Sequence, residues 1–344
     1  MIRVLIVDDS ALVRTILTRV LDSDPEIEVI GTAPDPFVAR DKIKQLNPDV
    51  ITLDIEMPRM DGITFLQNLM RLRPMPVVMV STLTQHGADA TLKALALGAV
   101  DYVGKPQADI GEKLGEYAEE LITKVKSAAS SRPRTLRTQA APKIERFAAS
   151  GSRRLVVMGA STGGTQAVRE VLEVLPASAP PIVIAQHIPA SFSKPFAERL
   201  DRYSAMTVCE AENGMRIQPG HAYIAPGDRH LGVGKSGLEW VCQVHDGKRV
   251  NRHRPSVDVL FLTAARSVGK SAIGVLLTGM GDDGARGLKA LHDAGAETLV
   301  QDEATSVVWG MPGAAVRLGA SDHIVALGDM AQALLTAAGG DAPA

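Results

Sequence analysis

Two successive α/β domains, each built on a parallel sheet, are predicted by three features of the sequence. Short apolar runs alternate with helix-period segments up to about residue 125. The alternation then breaks over a stretch without hydrophobic period, and it resumes at Leu155. The length of 344 residues fits two domains at roughly 150 residues each. A hydrophobic content of 45% is enough to fill two cores.

In the first domain, strands are expected at Val4–Val7, Val29–Ile30, Val50–Leu53, Val77–Val80 and Tyr102–Val103. Helices are expected at Ala11–Leu21, Phe37–Leu46, Ile63–Leu72, Ala88–Leu97 and Leu114–Val125. Apolar strands that alternate with amphipathic helices read as a parallel sheet covered on both faces. Ser10 is placed to cap the first helix. Residues 126–152 are rich in Ala, Ser, Arg, Thr and Pro, and read as a flexible basic linker between domains 1–125 and 153–344. The second domain has strand patterns at Leu155–Met158, Ile182–Ala185, Ala272–Leu277 and Thr298–Gln301. Its helix patterns are Gln166–Leu175, Phe192–Tyr203, Val257–Ser267 and Ala285–Ala294. Between Met206 and Val244 the helical period is lost, and Asn213-Gly214, Pro219-Gly220 and Pro226-Gly227 punctuate the chain as turns do. An antiparallel hairpin insertion at one edge of the sheet is expected there.

Composition narrows the function. A formal net charge of −2 argues against bulk electrostatic binding to nucleic acid. Aromatic residues at 3% do not supply base-stacking platforms. A DNA-binding output domain, usually short, helical and basic, does not fit the long α/β second half. The two cysteines, Cys209 and Cys242, read as reduced thiols rather than a metal site or disulfide framework. The opening residues MIRVLIVDDS lack the features of a secretion signal. No apolar run approaches the roughly 18 residues of a membrane span. A soluble, cytoplasmic protein is expected.

The ends of the first-domain strands collect one kind of chemistry. Asp8 and Asp9 follow the first strand and Asp54 ends the third. In an open parallel sheet, ligands bind beyond the carboxyl ends of the strands. Three carboxylates there repel one another, and Mg²⁺ relieves this because it takes carboxylate, phosphate and water oxygens. An Asp beside the ion is then placed to attack a phosphoryl donor. Ser81 and Lys105, at the ends of the fourth and fifth strands, add a hydroxyl and a cation. Together VDDS (Val7–Ser10), DIEMPRMDG (Asp54–Gly62), VST (Val80–Thr82) and KP (Lys105-Pro106) resemble a response-regulator receiver domain over about residues 1–125. The resemblance implies a flavodoxin-like five-stranded sheet with Asp54 as phosphoacceptor. It implies Mg²⁺ held by Asp8, Asp9, Asp54 and the Glu56 carbonyl. It also implies Ser81, Tyr102 and Lys105 as the residues that respond to phosphorylation.

In the second domain, Gly159-Ala160-Ser161-Thr162-Gly163-Gly164 follows a strand and precedes a helix, matching the G-x-S-x-G turn that exposes a nucleophilic serine. Such a turn also cradles phosphates. However, Thr165 stands where a P-loop needs Lys, and the dinucleotide fingerprint is absent. A serine nucleophile needs a base. Of the eight histidines (His86, His187, His221, His230, His245, His253, His292 and His323), His187 lies at a strand end on the same sheet edge, with His253 in reserve. The orienting carboxylate is Asp282 or Asp283, in Thr278–Gly284 after another apolar strand. The chain order Ser, His, Asp differs from that of α/β-hydrolases.

The segments GASTGG, AQHIP (Ala185–Pro189), HRPSVD (His253–Asp258) and TGMGDDG resemble the catalytic domain of chemotaxis protein-glutamate methylesterases of the CheB type, over about residues 153–340. The resemblance implies a doubly wound, Rossmann-like domain with a triad of Ser161, His187 and Asp283. Backbone N–H groups at Thr162 and Met280 would face the oxyanion. It implies hydrolysis of glutamyl methyl esters, and deamidation of specific glutamines, on chemoreceptors. The esterase reaction itself would need no cofactor. A chemotaxis histidine kinase would donate the phosphoryl group, and the enzyme would sit in the cytoplasm at receptor arrays, neither inserted in the membrane nor bound to nucleic acid. The unphosphorylated receiver would cover the catalytic cleft, and the arginines of Arg249–Arg254 would guide acidic receptor helices. A non-catalytic receptor adaptor would leave the serine without a function.

Overall fold

The computed structural model describes residues 1–82, 84–105, 114–131, 144 and 153–339; the side chains of residues 85, 86 and 114 are likewise outside the description. The chain divides into two compact units, Met1–Thr138 and Gln139–Ala344.

The first unit is a β-α alternation. Its elements are β1 (Ile2–Val7), α1 (Ala11–Leu21), β2 (Ile27–Ala33), α2 (Pro36–Leu46), β3 (Val50–Asp54), α3 (Gly62–Leu72), β4 (Val77–Ser81), α4 (Gln85–Ala96), β5 (Asp101–Gly104) and α5 (Leu114–Ser130). The five strands lie in the order β2-β1-β3-β4-β5, and all pairs are parallel. This is the flavodoxin-like order, with its switch point between β1 and β3. β3 and β4 are buried along their whole length, as expected when helices cover both faces. Ser10 caps the first helix as read, its hydroxyl accepting from Val13 N–H, and two further aspartates, Asp35 and Asp61, cap α2 and α3. Helix α5 runs beyond the expected Val125 to Ser130. Its buried stripe Leu121, Val125 and Ala128 continues at helical spacing, and Lys126 pairs with Asp24 and Glu26. The first residues assigned to the linker are therefore helical, and most of the remainder, 132–143 and 145–152, lies outside the described residues.

The second unit contains β6 (Leu155–Ala160), α6 (Gly164–Val174), β7 (Ile182–Gln186), α7 (Ala190–Tyr203), β8 (Thr207–Glu210), β9 (His221–Ile224), β10 (His230–Ser236), β11 (Glu239–His245) and α8 (Val257–Ser267). It continues with β12 (Ala272–Leu276), α9 (Ala285–Asp293), β13 (Glu297–Gln301), α10 (Met311–Arg317), β14 (His323–Val325) and α11 (Met330–Ala337). Seven strands form one parallel sheet, β14-β13-β12-β6-β7-β9-β8. The predicted antiparallel hairpin is β10-β11. Its turn is not one of the three Gly dipeptides singled out but Gly237-Leu238, with Gly237 at φ 61°. β8 and β9, from the same stretch, join the main sheet in parallel, because the segment between them carries the chain back to the edge where β8 began. The hairpin is fastened to α8. Val233 N–H donates to Thr263 Oγ1, and Ser267 Oγ donates to the Val233 carbonyl. Between them Leu231, Val233, Cys242, Leu260 and Phe261 share one core.

Chain order changes side of the sheet about β6: β7 lies on one side and β12 on the other. The loops after β6, β7 and β12 therefore meet at a switch point, where an open α/β sheet offers its crevice.

Candidate active site and acidic pocket

Ser161 directly follows β6. Its N–H donates to the Thr278 carbonyl (3.0 Å), and its carbonyl accepts from Gly164 N–H (2.7 Å), which closes the turn into α6. Gly163 occupies this turn at φ 75°, and a Cβ there would stand 2.6 Å from Val307. Glycine is therefore demanded by both backbone and space. His187, directly after β7, brings Nδ1 to 3.0 Å from Ser161 Oγ. Its Nε2 lies 2.8 Å from Asp283 Oδ2. With Nε2–H donated to the carboxylate, the neutral ring keeps Nδ1 as the acceptor for the serine proton. The two ring nitrogens thus have roles opposite to those in the chymotrypsin-type arrangement, where Nε2 faces the serine.

Asp283 is buried and Asp282 is exposed, which separates the two adjacent carboxylates that the sequence left as alternatives. Asp283 Oδ1 accepts from Asn251 Nδ2 (2.7 Å), Ser256 Oγ (2.8 Å) and Asp258 N–H (3.3 Å). Its Oδ2 accepts from Val257 N–H (2.7 Å) as well as from His187. Burial by itself would raise its pKa. The bond and charge of His187, with the Asn251 and Val257 donors, hold it well below the usual carboxylate range. The carboxylate is therefore ionised wherever the protein is folded near neutral pH. The reserve candidate His253 stacks its ring on that of His187, centroids 3.6 Å apart and planes 13° apart.

Thr162, one of the two residues expected to face the oxyanion, is buried, and its carbonyl accepts from Thr278 Oγ1 (3.0 Å). Gly279, which precedes Met280, passes so close that a Cβ there would lie 2.8 Å from Ser161 Cβ. Gln186 was not singled out from the sequence. Its Nε2 donates to the carbonyls of both Ser161 (3.0 Å) and His187 (3.2 Å), tying the β6 and β7 strand ends together. Asn251, Ser256, Asp258 and Thr278 were also missed as individual residues. Three lay inside quoted motifs without a chemical reason attached, and Asn251 lay in the Arg249–Arg254 stretch, which was read only for its arginines.

The first unit gathers its acidic residues as predicted. Ligand oxygens of Asp8, Asp9 and Asp54 lie within 4.8 Å of one another. Asp54 is fully buried, and Oδ2 pairs with Lys105 Nζ at 2.8 Å while Oδ1 accepts from Glu56 N–H at 3.1 Å. Burial raises the Asp54 carboxyl to about 6 despite the Lys105 hydrogen bond, and the Asp8 charge adds to the rise. Asp8 is raised too, first by burial, and its Oδ2 is a buried oxygen that accepts no hydrogen bond. A buried, unsatisfied carboxylate oxygen beside two further carboxylates suits a hard divalent cation such as Mg²⁺. Ser81 Oγ is engaged with Thr91 Oγ1 of α4 (2.8 Å). Tyr102 is buried, and the Lys124 ammonium lies 4.9 Å from its ring centre. Pro106 and the His86 side chain lie outside the described residues.

Residues 156–334 match the family model for CheB methylesterase, and residues 4–114 match that for the response regulator receiver domain. The chain belongs to the CheB methylesterase family. The protein-glutamate methylesterase/protein-glutamine glutaminase 1 of Xanthomonas campestris pv. campestris is 57% identical, over 97% of this chain and 96% of that one. The protein-glutamate methylesterase/protein-glutamine glutaminase of Hydrogenovibrio crunogenus is 52% identical, over 97% of this chain and 98% of its own length. The crystal structure of the Thermotoga maritima CheB methylesterase catalytic domain aligns with a TM-score of 0.53 at 36% identity, covering 54% of this chain and 98% of that one. This CheB-family chain thus joins a receiver domain to a hydrolase domain, and no helix among its described residues is long and apolar enough to cross a membrane.

Proposed function

We propose that this chain hydrolyses glutamyl methyl esters on chemoreceptors, deamidates specific receptor glutamines, and is switched on by phosphorylation of Asp54. The observation that carries the hydrolytic half is the continuous relay Ser161 Oγ, His187 Nδ1, His187 Nε2 and Asp283 Oδ2.

In the proposed reaction, His187 Nδ1 takes the Ser161 proton as Oγ attacks the ester carbonyl. The negative oxygen that forms is directed to the backbone N–H groups of Thr162 and Met280. The C–OCH₃ bond then breaks, and the proton on Nδ1 passes to the departing methoxide, releasing methanol. Water, deprotonated by the same Nδ1, cleaves the acyl-serine, and Ser161 recovers its proton as the glutamate carboxylate leaves. With a glutamine side chain the leaving group is ammonia. Asp283 stays ionised throughout; it fixes the Nε2–H tautomer and stabilises the imidazolium.

Control is assigned to the acidic pocket. Asp8, Asp9, Asp54 and the Glu56 carbonyl would hold Mg²⁺, which offsets the charge on an incoming phosphoryl group when bound. Asp54 Oδ is the proposed nucleophile toward a histidine kinase or a small phosphodonor. Lys105 would keep its pairing with the phosphorylated side chain. Ser81 would exchange Thr91 for a phosphoryl oxygen, and Tyr102 would respond to that movement. The proposed setting is the cytoplasm, at chemoreceptor arrays, with residues 126–152 joining the two domains. The arginines of Arg249–Arg254 are proposed to guide acidic receptor helices, and Arg254 is paired with Asp228 (2.8 Å).

The test is methanol release from methylated receptor membranes, with and without a small phosphodonor. Ser161→Ala is expected to abolish release in both conditions, and full release by that variant would sink the mechanism.

A further inference from the structure

Between β11 and α8, residues Val250–His253 form a tight turn. Val250 N–H donates to the His253 carbonyl (3.1 Å), and His253 N–H donates to the Val250 carbonyl (2.9 Å). The central residues are left-handed, Asn251 at φ 50° and Arg252 at φ 68°. Two consecutive positive φ values define a type I′ turn, which ordinarily takes Asn-Gly, so an arginine in the second position is held there against its preference. Such strain persists only where surrounding contacts over-determine it.

Those contacts end on two members of the proposed triad. The single Nδ2 of Asn251 lies 2.7 Å from Asp283 Oδ1 and 2.7 Å from Asp258 Oδ2. Each amide hydrogen therefore serves one buried carboxylate. Asp258 also accepts from Gly287 N–H (2.7 Å) and is 3% exposed, so its charge has little access to water. At the other end of the turn, the His253 ring lies flat on His187. We infer that the Val250–His253 turn positions the catalytic pair: Asn251 bridges two neighbouring buried carboxylates and aims Asp283 at His187 Nε2, and His253 fixes the plane of the His187 ring. Asn251 and His253 act through Asp283 and His187 and are positioning residues. The inference rests on the triad reading given above.

Among the described residues, the charged and titratable groups around Asp283 include His187 after β7, with His253 stacked on it, Asp258 on α8 and His230 on β10. His230 Nδ1 accepts from Ser256 N–H (3.2 Å) behind the Ser256–Asp283 bond. Removing the Asn251 amide leaves Asp258 and Asp283 facing each other without the donor between them. One of them must then take a proton more readily, and the active form is lost at a higher pH than in the wild type.

The experiment compares full-length wild type with Ser161→Ala, Asn251→Gly, His253→Ala and His253→Phe, using methyl-ester hydrolysis on methylated receptor membranes across pH. Glycine keeps the left-handed backbone without strain and removes the side chain that carries the amide. For Asn251→Gly, kcat is expected to fall about 10- to 100-fold with KM nearly unchanged, and the acid limb of the kcat/KM profile to move to higher pH. His253→Ala is expected to lose about tenfold in kcat, and His253→Phe, which retains a flat ring, to recover most of that loss. Ser161→Ala separates the two levels, because a variant that still releases methanol defeats the triad reading itself. If Ser161→Ala is inactive, a folded Asn251→Gly with wild-type kcat and an unmoved acid limb overturns the inference. If Asn251→Gly does not fold at the assay temperature, the His253 pair decides, and equal activity of the two His253 variants overturns it.

Discussion

Asp54 and Asp283 are both buried carboxylates, and their surroundings drive them in opposite directions. Asp283 takes five donors, which outweigh the penalty of burial. Asp54 has Lys105 and one backbone donor, and burial wins, placing its pKa at about 6 against an ordinary 3.8. A carboxyl raised on folding binds its proton more tightly in the folded than in the unfolded chain. Metal-free stability contributed by this residue is therefore fully present below about pH 4, falls as pH rises to about 6, and is level above that. Asp54→Asn removes the ionising group. In urea unfolding with a chelator present, it is expected to be more stable than wild type at pH 7.5 by roughly 1–3 kcal/mol, with the difference fading at pH 4. Mg²⁺ needs the ionised carboxylate. Added Mg²⁺ is expected to raise the melting temperature of the receiver unit at pH 7.5 and much less at pH 5, and an equal rise at both values would contradict the assigned ligands.

At the scale of elements, the proposed hydrolytic site is made by the turns after β6, β7 and β12. These turns are crowded. At Gly279 a Cβ would meet Met311 Sδ at 2.1 Å and Ser161 Cβ at 2.8 Å. Met311 is a flexible side chain and can yield, whereas Ser161 is fixed by its turn. Gly279→Ala is therefore expected to displace the nucleophile and lower kcat about 100-fold while the protein remains folded. Steady-state ester hydrolysis with a circular dichroism melt checks both halves of that statement. The turn beyond β11 belongs to the same scale: it is short and left-handed, and it delivers Asn251 and His253 to different members of the relay.

At the scale of the whole molecule, each unit has its own sheet and its own site at the carboxyl edge of that sheet. Phosphorylation of one unit alters the activity of the other only by favouring one state of the chain over another. A tenfold activation corresponds to about 1.4 kcal/mol of such differential stabilisation. Ester hydrolysis by the full chain is expected to accelerate when Mg²⁺ and a small phosphodonor are added. Asp54→Asn is expected to keep its unstimulated rate and lose the acceleration. A mutant that still responds would remove Asp54 from the control pathway.

Strand ends were legible from the sequence because strands buried on both faces read as apolar runs, and the point where a run stops is the edge where ligands bind. Asp8, Asp54, Ser81, Lys105, Ser161 and His187 each stand at such a stop. Local periodicity also marked the helices. It ended α5 too early, because Ala128 and Lys126 extend the helix through contacts rather than through a strong apolar pattern. Other features depend on residues far apart in sequence meeting in space, and only the tertiary structure decided them. Asp282 and Asp283 are adjacent and chemically identical; the family resemblance pointed to Asp283, and the physical ground for it is burial against a histidine 96 positions away. The parallel entry of β8 and β9 depends on the path of the segment between them. Which imidazole nitrogen faces Ser161, and that Asn251 stands between two carboxylates, depend on side-chain direction, which alternation and spacing do not encode.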